Sequence, residues 1–153
     1  MMCDKIKILL FSSLLVMSCT SQKLVKSQSI VNNGAEIQLV SNQFLFTEGP
    51  ASDRFGYVYF TDQPNDKIYF WDWKTNKIAE FRTGSGRANG TFFDKNDNLI
   101  TCSDEKRQIL KINKSGIAEI LTTDFNGKRL NGPNDLWLDG NNGIYFTDPL
   151  YVR

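Results

Sequence analysis

Histidine is absent from all 153 residues. No Ser-His-Asp triad, imidazole base or histidine-rich zinc site can therefore be built from this chain. Cysteine is scarce, with only Cys3, Cys19 and Cys102. Two of these fall near the N-terminus, so Cys102 stands alone in the body of the chain and no internal disulfide is available to it. There is no block of like charge: 18 Lys+Arg face 17 Asp+Glu, which excludes the electrostatic footprint of a nucleic-acid binder. No apolar run reaches the roughly 20 residues of a transmembrane helix. No stretch keeps a 3.6-residue apolar rhythm, which excludes a helical solenoid. What is present is 12% aromatic residues, set beside β-branched residues in short runs. Such runs favour sheet over helix.

The N-terminal segment is a different kind of sequence. Lys5 and Lys7 precede an apolar run, Ile8 to Met17, broken only by Ser12 and Ser13. The run is too short to span a bilayer but suits the apolar region of a signal peptide. It ends in Val16-Met17-Ser18-Cys19, which resembles the lipobox of bacterial lipoproteins, where cleavage exposes a cysteine for acylation. The expected organisation is a lipoprotein signal peptide over 1–18, an acylated Cys19 with a polar tether over 19–35, and a domain over 36–153. That places the domain at the bacterial cell envelope, held to the membrane through lipid and facing the periplasm or exterior. An ordinary secretory signal with a chance cysteine is the alternative. Cys102 lies in an alternating apolar segment and reads as a buried small hydrophobe.

Internal repetition carries the fold. Setting Asp53, Asp94 and Asp139 in register gives spacings of 41 and 45 residues. Five residues before each stand Glu48, Asn89 and Asn134. Five residues after each begin Val-Tyr-Phe-Thr-Asp (58–62), Leu-Ile-Thr-Cys-Ser (99–103) and Ile-Tyr-Phe-Thr-Asp (144–148). Each unit holds about four short apolar segments separated by turn signals such as Lys95-Asn96-Asp97-Asn98. A four-stranded unit of roughly 40 residues is a β-propeller blade. The fold expected is all-β, with about two and a half blades present and the third reduced to one strand. Closure needs about four blades or more, so the chain reads as the N-terminal part of a larger propeller. Ile37-Gln38-Leu39-Val40 is a candidate strand for a further blade.

Register also locates a candidate site. Equivalent residues at the first strand of successive blades converge near the propeller axis, which puts Glu48, Asn89 and Asn134 together. One carboxylate beside side-chain amides supplies hard oxygen ligands of the kind Ca²⁺ prefers. Spacing alone leaves a second reading open: Glu48 as a solvated turn carboxylate, and the asparagines in turns that need left-handed backbone. The alternating aromatics of the Tyr-Phe-Thr-Asp strings are expected to pack blade on blade, with Asp62 and Asp148 bonding locally. Trp71 and Trp73 are expected to serve the same packing.

Four segments sharpen the picture: Phe46-Thr47-Glu48-Gly49-Pro50-Ala51, Ala88-Asn89-Gly90, Gly127 to Leu136 with its Gly-Pro-Asn-Asp core, and Tyr145-Phe146-Thr147-Asp148-Pro149. In this order and spacing, from about residue 36 to 151, the chain resembles the gluconolactonase / senescence-marker-protein / luciferin-regenerating-enzyme family. The resemblance implies a six-bladed propeller with one divalent metal ion in its central channel and a lactonase activity on small-molecule lactones. It implies Ca²⁺ in the site, with Zn²⁺, Mg²⁺ and Mn²⁺ as alternatives. It makes Glu48 a metal ligand and Asn134 a contact for substrate or bound water, with Asp135 beside it and Asn89 on the channel wall. The family's presumed proton-transfer Asp is expected beyond Arg153, so the chain by itself is expected to be inactive. The alternative is a non-catalytic extracytoplasmic propeller that serves as a binding or scaffold module.

Overall fold

The sequence repeat is, in space, a repeated hairpin. Asp53 Oδ1 accepts the N–H groups of Phe55 and Tyr57 at 2.9 and 3.0 Å. Asp94 Oδ1 does the same for Asn96 and Asn98 at 2.8 Å each, and Asp139 Oδ1 for Asn141 and Gly143 at 2.7 Å each. The aspartate is the residue that closes the turn between the first two strands of each unit, which is why it recurs. Asn113 closes a later hairpin in the same way, through Ser115 and Ile117.

The computed structural model describes residues 30–141 and 143–151. The signal segment 1–18 and Cys19 lie outside the described residues. The chain divides into two units, Met1–Ile37 and Gln38–Arg153. In the first, residues 30–37 carry no strand, and Ala35 N–H donates to Asn32 O at 3.1 Å. Residues 37–40, expected as a strand, form none.

The second unit is built from antiparallel strands. β1 (Thr47–Ser52), β2 (Val58–Asp62), β3 (Lys67–Asp72) and β4 (Lys77–Thr83) form one four-stranded sheet in sequence order. β5 (Ala88–Phe93), β6 (Leu99–Ser103), β7 (Gln108–Ile112) and β8 (Ala118–Thr122) form the second. β9 (Asp124–Phe125) and β10 (Lys128–Arg129) make a small hairpin. β11 (Leu136–Leu138) pairs with β12 (Ile144–Phe146). The third unit therefore holds two strands where one was expected, because the apolar Leu136-Trp137-Leu138 segment pairs back on Ile144–Phe146 across the Asp139 turn. Two complete blades and part of a third make this an all-β propeller fold.

Strand alternation explains the packing between blades. Ile68, Ala88, Leu99, Leu110 and Ile112 form one buried cluster, with Tyr59, Phe81 and Phe93 packed against it. Ile100, Cys102, Ile109 and Leu136 form the next, with Ile144 and Phe146 against it. β6 sends Leu99 into the first cluster and Ile100 and Cys102 into the second, so every residue of β6 is buried. Each such aliphatic side chain contributes about 1.5–3 kcal/mol. Burial, with the charges of Asp135 and Asp148 adding to it, pushes the Cys102 thiol far above the ordinary thiol range. It is an inert packing residue.

The aromatics divide between two roles. Tyr59 and Phe146 pack between blades as expected, whereas Phe60 meets Phe44 and Tyr69, and Tyr145 lies outward against Trp137. Trp73 is not blade packing: it lies just past β3, is 51% exposed, and donates its indole N–H to Phe55 O at 3.2 Å. Asp62 and Asp148 reach further than expected. Asp62 Oδ1 accepts the N–H groups of Leu45 and Phe46, 17 and 16 residues away, and Asp148 Oδ1 those of Asn131 and Gly132. Ser103, at the same register, donates to Gly86 O at 3.2 Å. In each blade the end of the second strand thus pins the segment that enters the first.

The blades are also tied at their hairpin tips. Arg54 and Lys114 both pair with Asp97, Lys114 at 3.2 Å. Burial alone would raise the Asp97 carboxyl, but these two cations outweigh it and hold the group below the usual carboxylate range.

Candidate active site

Those pinned segments lead into a cleft of about 420 Å³ lined by Phe46, Glu48, Gln63, Arg87, Asn89, Asp104, Asn134 and Tyr151. It collects the three register residues read from the sequence. Glu48 and Asn89 belong to strands β1 and β5, and Asn134 stands two residues before β11. None of the three has left-handed backbone, so they are not there as turn residues.

Bulges aim the two strand residues. The register of β1 on β2 shifts between Glu48 and Ala51, and that of β5 on β6 between Ala88 and Thr91. An extra residue at a bulge breaks the ladder and redirects a side chain. Successive first strands are then stitched together. Thr61 Oγ1 lies 3.2 Å from both Glu48 O and Asn89 O, Thr91 Oγ1 donates to Gly49 O at 2.5 Å, and Gly90 N–H donates to Asn134 O at 2.7 Å. Glycine follows Glu48 and Asn89 because nothing larger fits. A Cβ on Gly49 would sit 2.5 Å from Asn89 O, and one on Gly90 would sit 2.7 Å from Asp135 Cα.

Polar partners differ sharply among the cleft residues. Among the described residues the Glu48 carboxylate has no hydrogen-bond or ion-pair partner. Asn89 is only 4% exposed, yet its side-chain amide has no hydrogen-bond partner among them either. Because Asn89 lines the cleft, its amide is open to a ligand bound there. Asn134 Nδ2 donates to the Tyr151 hydroxyl at 2.7 Å. Asp135 is not in this cleft. It packs over Gly90, its Oδ1 accepts Leu136 N–H at 2.8 Å, and it shares an adjoining hollow of about 310 Å³ with Glu48, Asn134, Gly90 and Thr91.

Five lining residues escaped the sequence reading: Phe46, Gln63, Arg87, Asp104 and Tyr151. The same register contained a signal for four of them. Phe46 and Arg87 each stand two residues before Glu48 and Asn89, immediately ahead of β1 and β5. Gln63 and Asp104 each follow the residue that ends the second strand.

Glu48, Asn89 and Asn134 offer one carboxylate and two amide oxygens to a single cleft, a hard-oxygen set suited to a divalent cation. Among the described residues no cluster of three or more His, Cys, Asp or Glu is present, so the amides are integral to any such site. The residues fit the group.

The family model of the SMP-30/Gluconolactonase/LRE-like region matches residues 46–152. The chain belongs to this family. A gluconolactonase of Zymomonas mobilis is 24% identical, across 80% of this chain and 38% of that protein. The structure of a gluconolactonase from Xanthomonas campestris superposes with a TM-score of 0.69 at 28% identity, covering 72% of this chain and 37% of that one. A structural-genomics structure from the gluconolactonase family gives a TM-score of 0.73 at 30% identity, covering 78% and 42%. The chain thus spans about two fifths of the length of the relatives it matches.

Proposed function

We propose that this chain supplies part of a lactonase site, in which a divalent cation, Ca²⁺ in the first instance, is held at Glu48 and a small lactone is hydrolysed. The observation that supports it is the Glu48 carboxylate, without a partner among the described residues, in a cleft it shares with the Asn89 amide. Glu48, with the amide oxygen of Asn89 beside it, would hold the cation. When bound, the cation polarises the ester carbonyl as a Lewis acid. The chain's own groups do the rest of the binding. The Asn134 amide, which donates to the Tyr151 hydroxyl, would hydrogen-bond the substrate, and Phe46 would offer an apolar wall to the ring carbons. In the reaction, water oxygen bonds to the carbonyl carbon, the ring C–O bond breaks, and the water proton passes to the ring oxygen. Asp104 places in the cleft a second carboxylate able to take that proton. An activated ester needs only modest help of this kind, which suits a chain without histidine.

Acid release from a panel of five- and six-membered sugar lactones, followed by pH-stat, tests the reading. Hydrolysis should stop with chelator and return with added divalent ion. Asn134→Ala should cut turnover roughly tenfold or more while the ion still raises the melting temperature. Hydrolysis indifferent to chelation, or none with any ion, would count against the proposal and leave a binding module.

We also propose that Cys19 is acylated and that the protein sits at the cell envelope, from the Lys5/Lys7 start, the short apolar run and the Ser18-Cys19 junction. Intact-mass measurement on the membrane fraction should show lipid on Cys19, lost in Cys19→Ala. Unprocessed protein in the cytosol would refute it.

A further inference from the structure

We propose that Arg87 is a specificity residue that selects lactones bearing a carboxylate, such as the monolactone of a sugar diacid. The inference rests on the lactonase reading above but reaches past it to the substrate class. Arg87 leads into β5 two residues before Asn89 and lines the same cleft. Its backbone is held in the left-handed region, at φ +52°. A non-glycine residue stays there only where its surroundings fix it. Here Asp66 does so: its Oδ1 accepts the Arg87 N–H at 2.7 Å and the Ser85 hydroxyl at 2.9 Å, while Ser85 Oγ accepts the Ala88 N–H at 3.1 Å.

The guanidinium is positioned and largely uncommitted. Arg87 Nη2 donates to Gln63 Oε1 at 3.2 Å, and Gln63 Nε2 lies 3.4 Å from Asp104 Oδ2. The Gln63 amide therefore stands between Arg87 and the cleft's acid. Among the described residues Arg87 has no ion-pair partner, and most of its N–H donors are unused. A guanidinium stays charged at any working pH, and its fork matches a planar carboxylate. One arginine beside two acids, Glu48 and Asp104, suits a singly charged group better than a doubly charged phosphate.

The test uses the intact protein with divalent ion and two lactones of the same ring, one ending in a carboxylate and the other in a hydroxymethyl group. A phosphorylated lactone is a third arm. Wild type should prefer the carboxylate. Arg87→Gln should lower kcat/KM for it roughly 10- to 100-fold, mainly through KM, and lower that for the neutral lactone by at least roughly tenfold less. Arg87→Lys should restore only part, since charge without the fork is incomplete. Arg87→Gly, which relaxes the positive φ and should fold at least as well, should show the same loss as Arg87→Gln. Calorimetric titration separates the two readings, using the ring-opened diacid and the matching monoacid. The diacid's affinity should fall in Arg87→Gln and the monoacid's should not, whether or not either lactone is turned over. If neither lactone is hydrolysed but this difference holds, the lactonase reading fails and the role of Arg87 stands. Unchanged diacid affinity in Arg87→Gln, an equal fall for both acids, or preference for the phosphorylated lactone would overturn the proposal.

Discussion

Glu48→Gln should abolish both the response to divalent ion and lactone hydrolysis in the intact protein. Replacing even the outer partners of metal ligands costs about 10–100-fold in affinity or activity, so loss of a charged ligand should cost at least roughly 100-fold. Ion present at about 100 times its dissociation constant stabilises the folded state by about 2.7 kcal/mol, and that increment should vanish. The structure adds a sharper expectation for the ion-free protein. Because the Glu48 carboxylate has no partner among the described residues, Gln at this position breaks no hydrogen bond or ion pair. In chelator the two proteins should therefore unfold within about 0.5 kcal/mol of each other. Thermal melts with and without ion, beside a pH-stat assay, measure all three quantities. Retained ion stabilisation in the variant would show that Glu48 is not a ligand. A large loss of stability in chelator would show that its role is structural.

What could be read in the sequence followed from periodicity. The Asp53/Asp94/Asp139 register marked real turns, because the Asx hydrogen bonds need that residue at that step of each hairpin. The same register brought Glu48, Asn89 and Asn134 into one cleft. The residues it missed stand where strand alternation does not reach. Phe46 and Arg87 line the cleft from immediately ahead of β1 and β5. Asp135, read as the neighbour of Asn134, packs over Gly90 and shares an adjoining hollow with Glu48 and Asn134. Trp73 was judged by its spacing from Trp71, yet β3 ends at Asp72 and frees it from the alternation. Tyr151 carries no register signal, since its place depends on how the segment after β12 returns to Asn134. The Asn89-Gly90 pair has the composition of a turn but lies in a bulged strand. There the glycine is demanded by the close passage of the Asn134-Asp135 segment, as Gly49 is by that of β5, which one sequence cannot reveal.

That approach sets the expected cost of Gly49→Ala. Gly49 has φ +50°, and a Cβ there would lie 2.5 Å from Asn89 O and 2.7 Å from both Gly90 Cα and Thr91 N. All three are backbone atoms of β5, fixed in their turn by Thr61 Oγ1 on Asn89 O and by Thr91 Oγ1 on Gly49 O. No side-chain rotation can make room, so β1 must move away from β5. Left-handed backbone costs an alanine about 1–2 kcal/mol, and overpacking adds about 1–3 kcal/mol. At about 2–4 °C per kcal/mol for a domain of 150 residues or more, the melting temperature should fall by roughly 4–20 °C. Gly84→Ala separates the two causes. Gly84 also has positive φ, +73°, but a Cβ there meets nothing within 4 Å, so only the backbone strain should appear. Because Gly49 follows Glu48 in the bulge of β1, displacement of the strand should carry the carboxylate with it. Ion affinity should therefore drop in Gly49→Ala and stay at the wild-type value in Gly84→Ala. Equal melting losses in the two variants, with ion binding intact in both, would show that the close passage of β1 over β5 neither holds the blades together nor sets the position of Glu48.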